Sequence, residues 1–182
     1  MAKGRIQLRL AAIVTGVFAI VMAGSAGSAF AQDGDPEIGA DAWRSGVCKQ
    51  CHGWAGDGVP ENNQSAGPSL RLSLLTPEQM VEAIRCGRPG TDMPSFRRNA
   101  WTEIIPCYSM TAPLEGAMAP VIESPLGDRT INGLVAFIFR DFVDQGPVTR
   151  EYCWEIVGRD STRCDAYPTE EEVAAEAAAA AP

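Results

Sequence analysis

The residues best equipped for chemistry lie together at Cys48-Lys49-Gln50-Cys51-His52. The spacing C-x-x-C-H is an attachment signature for haem of the c type. Two thiols one helical turn apart can each add to a vinyl group of the porphyrin. The histidine that follows then offers an imidazole to the iron from the same side. His52 is the only histidine of the chain, so no other residue supplies an imidazole. Two other chemistries use such a pair. A thioredoxin-like couple needs a βαβ context, which the flanking sequence lacks. A zinc site needs another ligand pair at suitable spacing, and the chain has no second C-x-x-C and no H-x-x-H.

Such a motif must be carried on a helix and covered by others. Ala40, Trp43, Val47 and Cys51 recur at spacings of three and four, which predicts a helix from Ile38 to Cys51 opened by Pro36. Residues 53 to 75 are rich in Gly, Pro and Asn and read as a long loop, of the length that is usually functional. Here it would wrap the haem edge on the histidine side. Thr76-Pro77-Glu78-Gln79 is a helix start with a capping box, and Met80, Val81 and Ile84 form the buried stripe behind it. Gly87 is the expected stop. Trp101, Ile104 and Ile105 suggest a short helix ended by Pro106, within an irregular excursion over residues 99 to 127. Asp128 to Val143 is the clearest helix, with Asp128 as cap and Ile131, Leu134, Val135, Ile138 and Phe142 on one face. Residues 169 to 182 have alanines that favour helix but no apolar face to dock, and read as a solvated tail.

The first residues read as an export address. Lys3, Arg5 and Arg9 precede an apolar run from Leu10 to Met22, and Ala29-Phe30-Ala31 is a small-x-small cleavage site. The expected organisation is a cleaved signal peptide over 1–31, a haem domain over 32–147, a stapled extension over 148–168 and an acidic, alanine-rich tail over 169–182. In an oxidising compartment the four cysteines outside the haem motif, Cys86, Cys107, Cys153 and Cys164, are expected in disulfides. Four cysteines permit three pairings. Locality favours Cys86–Cys107 and Cys153–Cys164.

Removing Lys3, Arg5 and Arg9 takes the formal charge from −8 to −11 and leaves Lys49 as the only lysine. A chain this acidic repels nucleic acid and anionic membrane, and favours a partner with a basic face. With His52 on iron there is no Ser-His-Asp set, and neither a phosphate loop nor an EF-hand loop is present.

From Gly39 to Phe142 these parts resemble a class I cytochrome c. In that family a glycine and an aromatic residue precede the haem cysteines, as Gly39 and Trp43 do. A proline whose carbonyl receives the proximal histidine's proton resembles Pro68 in Gly67-Pro68-Ser69-Leu70. A methionine ligand in Met-Pro-x-Phe resembles Met93 to Phe96. A last helix with Leu-Val-Ala-aromatic-Ile resembles Leu134 to Ile138, and would cross the first helix with Trp43 near Leu134 and Phe137. The resemblance implies an all-α fold of three to five helices wrapped around one covalent haem c, here with an irregular insertion and a C-terminal extension. Cys48, Cys51, His52, Met93 and Pro68 would form the cofactor site. The long segment before the last helix, the extension after Phe142 and the lack of a lysine ring depart from the family.

The sixth ligand of the iron decides the function. A thioether closes the iron and raises its potential, which suits a carrier; an open position suits ligand binding or catalysis. Met80 lies on a helical stripe, and Met110 and Met118 lie in the excursion, where filling gaps is the usual role. Met93 follows Pro89-Gly90 and precedes Pro94. The expectation is a periplasmic one-electron carrier, not itself an enzyme, that meets a redox donor and acceptor through electrostatics and has no membrane insertion after signal cleavage. The alternatives are a fixed electron-transfer subunit of a periplasmic dehydrogenase or respiratory complex, and a five-coordinate haem that binds a small ligand or is catalytic.

Overall fold

A computed structural model of the protein describes residues 34–180 apart from 47, 62, 113–118 and 121. The expected signal peptide, residues 1–31, and Met118 lie outside the described residues. Among the described residues there are six α-helices, α1 Pro36–Ser45, α2 Cys48–His52, α3 Pro77–Cys86, α4 Asp128–Asp141, α5 Arg150–Val157 and α6 Glu170–Ala180, with a 3₁₀ turn at Thr162–Ala166. Apart from two isolated bridges, Ala100 with Ile105 and Cys107 with Met110, no β-structure occurs among them. The fold is all-α, and α1 to α4 build its main body.

The core is a crossing of α1 on α4. Trp43 is buried on α1 and meets Phe142 edge-on at 4.9 Å and Phe137 at 6.1 Å. Ile131, Leu134, Val135 and Ile138 bury the expected face of α4. The helices approach closely because Gly39 and Gly133 face each other. A methyl group on Gly39 would strike the Gly133 carbonyl, and one on Gly133 would lie 2.8 Å from the Asp35 carbonyl. α3 packs on α4 and has the capping box that its sequence predicts. Thr76 accepts from the Gln79 N–H and the Gln79 side chain accepts from the Thr76 N–H.

Three local expectations are corrected. The single helix to Cys51 is two helices, because Gly46 takes an extended conformation (φ −88°, ψ 177°) after Ser45 and α2 starts afresh at Cys48. Asp128 does not cap α4. Gly127 holds the cap position, and the Asp128 carboxylate reaches Arg85 at 3.4 Å and Arg97 at 3.3 Å instead. No helix forms at 101–105. Trp101 adopts a left-handed φ of 64°, which turns its indole toward the end of α3. Nor does Met110 fill a gap, since it is exposed where it pairs with Cys107 to close a turn.

The extension is a small unit of α5, the 3₁₀ turn and α6. Cys153 and Cys164 are joined there, and Cys86 is joined to Cys107. α6 buries no residue.

Candidate haem site

α2 carries the motif. Cys48 and Cys51 are both unpaired thiols, half-buried on one turn of helix, and His52 is buried beside them. The His52 Nδ1–H donates to the Pro68 carbonyl at 2.9 Å. Gly67 permits that contact, because a methyl group there would sit 2.7 Å from Nδ1. The loop is tied to α2 by the Gly67 N–H to the Cys51 carbonyl at 2.8 Å and the Gly58 N–H to the His52 carbonyl at 2.8 Å. Burial pushes the His52 imidazole below its usual range, with the Pro68 carbonyl acting against that and the Arg88 charge with it. The ring is therefore neutral near pH 7, with Nδ1 committed as donor and the Nε2 lone pair left over. That is the state an iron ligand requires. Burial pushes the Cys48 thiol up to about 11.

Met93 sits at the end of a closed loop. The Arg88 N–H donates to the Met93 carbonyl at 3.1 Å, and the Thr91 hydroxyl oxygen accepts from the Met93 N–H at 3.2 Å. The segment after it is gripped from two sides. Phe96 and Arg97 N–H groups donate to the Ile84 and Arg85 carbonyls at 3.2 Å each. The Ser95 N–H donates to Pro120, and Ile122 and Leu126 donate back to Ser95 and Phe96. Ser95 is buried, and its hydroxyl donates to the Arg85 carbonyl at 3.0 Å. Met93, Cys48, Leu70 and Leu75 remain half-buried, all packed on the same core cluster as Trp43 and Ile131. The thiols, the free imidazole nitrogen and this apolar surface suit a haem. Among the described residues no three or more His, Cys, Asp or Glu converge as a metal site.

Several residues of the site carry no sequence signal. Ser95 is one. Arg71 is another. It is buried, and its guanidinium donates to the carbonyls of Gly146, Ala55 (3.3 Å) and Gln145 (3.0 Å) while lying 5.4 Å from the Tyr152 ring centre. Trp54 is a third. Its carbonyl accepts from Trp43 Nε1 at 3.1 Å and its ring stacks on Tyr152 at 5.9 Å. Trp101 gives its N–H to the Cys86 carbonyl at 2.9 Å.

Residues 34–104 match the family model described as cytochrome C oxidase, cbb3-type, subunit III. The match supports a class I-like cytochrome c domain over that stretch, and the all-α architecture is consistent with it. Such a domain implies a covalently bound haem c and a part in electron transfer. No curated protein and no solved structure matches the chain. When bound, the haem supplies the one-electron redox change. The chain's part is to hold the imidazole by its Nδ1 proton, to keep water from the apolar wall, and to fasten the loops on either side.

Proposed function

We propose that the protein is a periplasmic one-electron carrier. Its haem is joined to Cys48 and Cys51, and the axial ligands are His52 Nε2 and the Met93 thioether. Pro68 orients His52. The observation that carries this reading is the treatment of Met93. Its backbone is fastened by Arg88 and Thr91, while its side chain is left half-buried on the cluster that also receives Cys48. A methionine meant only for the core would be expected to be buried, as Met80 is. Export is supported by the N-terminal address and by the two disulfides, which persist outside the cytoplasm. Among the described residues no helix is long and apolar enough to cross a membrane. The domain boundaries at 31, 147 and 168 belong to the same proposal.

A second reading, a fixed subunit of a redox complex, is favoured by the matched family's description as an oxidase subunit and by exposed Ile104 and Ile156 on the accessory segments. Purification at native abundance separates the two, because a carrier comes away alone. Absorption spectra test the ligation. The oxidised wild type should show a sulfur-to-iron charge-transfer band that Met93→Ala lacks, and the reduced wild type should not bind carbon monoxide. If Met110→Ala removes the band instead, or the reduced wild type binds carbon monoxide readily, the assignment is wrong.

A further inference from the structure

We propose that Tyr108 and Trp101 are positioning residues for Met93, acting through the end of α3. The proposal rests on the His52/Met93 ligation above. The last four carbonyls of a helix have no partner within it. Two consecutive carbonyls at the end of α3 receive ring donors from the excursion. Trp101 Nε1 donates to Cys86 and the Tyr108 hydroxyl donates to Gly87, each at 2.9 Å. Arg88 comes next, and its N–H donates to the Met93 carbonyl at 3.1 Å. Gly87 has a left-handed φ of 67°, and a methyl group on it would lie 2.7 Å from the Pro94 carbonyl carbon and the Ser95 nitrogen. The end of α3 and the ligand segment thus touch backbone to backbone. A shift of Gly87 is a shift of Pro94.

The excursion keeps the two rings in place at a conformational cost. Trp101, Tyr108 and Ser109 all have left-handed φ, of 64°, 52° and 63°, although none is glycine. Such strain persists only where the surroundings over-determine it, and it gathers at functional positions. Here the surroundings are the Cys86–Cys107 disulfide, the Tyr108 N–H to the Glu82 carboxylate at 2.7 Å, and the paired N–H groups of Cys107 and Met110. The two rings also pack on each other at 5.7 Å. The disulfide alone fixes one side chain of the α3 end. It leaves the Cys86 and Gly87 peptide planes free to turn, and the ring donors remove that freedom.

Imidazole titration of the oxidised protein, followed by loss of the charge-transfer band, reads the positioning directly. Imidazole reaches the iron only when Met93 leaves, so its apparent affinity scales with the population of the open loop. Tyr108→Phe and Trp101→Phe should each raise that affinity about fivefold, as expected for one net hydrogen bond lost from the closed form. Both should also lower the pH at which the band disappears. Tyr167→Phe removes a tyrosine hydroxyl of the extension that bonds Trp54 and Asp57 in the loop after His52, and should leave the affinity at its wild-type value. An equal rise in Tyr167→Phe would show general loosening and overturn the proposal. Wild-type affinity in both ring variants, with a band that Met93→Ala abolishes, would overturn this proposal alone. A wild type without the band would overturn the Met93 ligation and this proposal with it.

Discussion

The indole Nε1 of Trp54 donates to the hydroxyl of Tyr167 at 3.0 Å, across 113 positions of sequence. Tyr167 passes the chain on by donating to the Asp57 carboxylate at 2.8 Å. Trp54 and Asp57 belong to the loop directly after His52, and Tyr167 belongs to the stapled extension. The extension is therefore built onto the histidine side of the haem site, while the excursion of residues 99–112 is built onto the Met93 side. Each accessory segment has its own disulfide. The His52 side and the Met93 side of the candidate site are thus braced separately.

Tyr167 makes the histidine-side brace sensitive to alkali. Burial, reinforced by the Asp57 carboxylate, pushes its hydroxyl up to about 12. The unfolded value is about 10. The folded form therefore binds the proton more tightly. Its contribution to stability is complete below about pH 10 and is lost as pH rises through about 12. Denaturant midpoints followed by Trp emission should fall across that window in the wild type. Tyr167→Phe should start lower by about 1 kcal/mol at neutral pH, having lost a hydrogen bond, and should show no step of its own between pH 10 and 12. A step of wild-type size in the variant would assign the titration elsewhere.

The crossing of α1 on α4 should tolerate no side chain at its closest point. Gly39→Ala drives a methyl group into the Gly133 carbonyl, which is backbone and has no rotamer to escape by. The expected cost is about 3 kcal/mol, at the upper end for overpacking. Urea unfolding of the haem-loaded protein measures it, and a midpoint within error of wild type would mean that the helices separate freely. Gly133→Ala should cost less, since its nearest neighbours lie 2.8 to 3.4 Å away.

What could be read in the sequence was what local spacing decides. The Thr76 capping box, the Gly87 stop and the buried stripe of α4 depend on residues three or four apart, and all three are present. The failures share one cause. Trp101 leaves the helical region because its indole is claimed by Cys86, 15 positions away. Asp128 gives up its capping role to Arg85 and Arg97, 43 and 31 positions away. Arg71 is buried because its guanidinium serves the carbonyls of Ala55, Gln145 and Gly146, all remote in sequence. Hydrogen bonds between remote segments leave no periodic trace, so Ser95, Arg71 and Trp54 had no signal to find.

Charge should set the rates of electron exchange. If residues 1–31 are cleaved as expected, the formal charge is −11, and a lysine-rich redox protein should be attracted while hexacyanoferrate(III), an anion, should be repelled. Screening lengths shrink from about 30 Å at 0.01 M salt to about 3 Å at 1 M. Stopped-flow oxidation of the reduced protein by the basic protein should slow over that range, and oxidation by hexacyanoferrate(III) should quicken. Parallel trends with the two oxidants would show that electron exchange does not feel the net charge.

Arg71 should decide whether the extension stays attached. Its side chain holds the Ala55 carbonyl on one side and the Gln145 and Gly146 carbonyls on the other, while its face covers Tyr152. No carboxylate pairs with it among the described residues. The other ties are weaker in kind. The Arg163–Glu61 pair, at 3.0 Å, is part-exposed, and such pairs contribute about 0 to 1 kcal/mol. Arg71→Met keeps the bulk but leaves three carbonyls without their donor, which costs on the order of 3 kcal/mol. Arg71→Lys keeps the charge and can serve only part of that set, so its loss should be intermediate. Because Arg71 ties the loop after His52 to the Gln145-Gly146 segment that leads into the extension and to Tyr152 within it, the loss should be local before it is global. In Arg71→Met the emission of Trp54 should shift to the red at lower urea than the haem absorbance changes. Coincident transitions at a lowered midpoint would instead make Arg71 part of a single cooperative core.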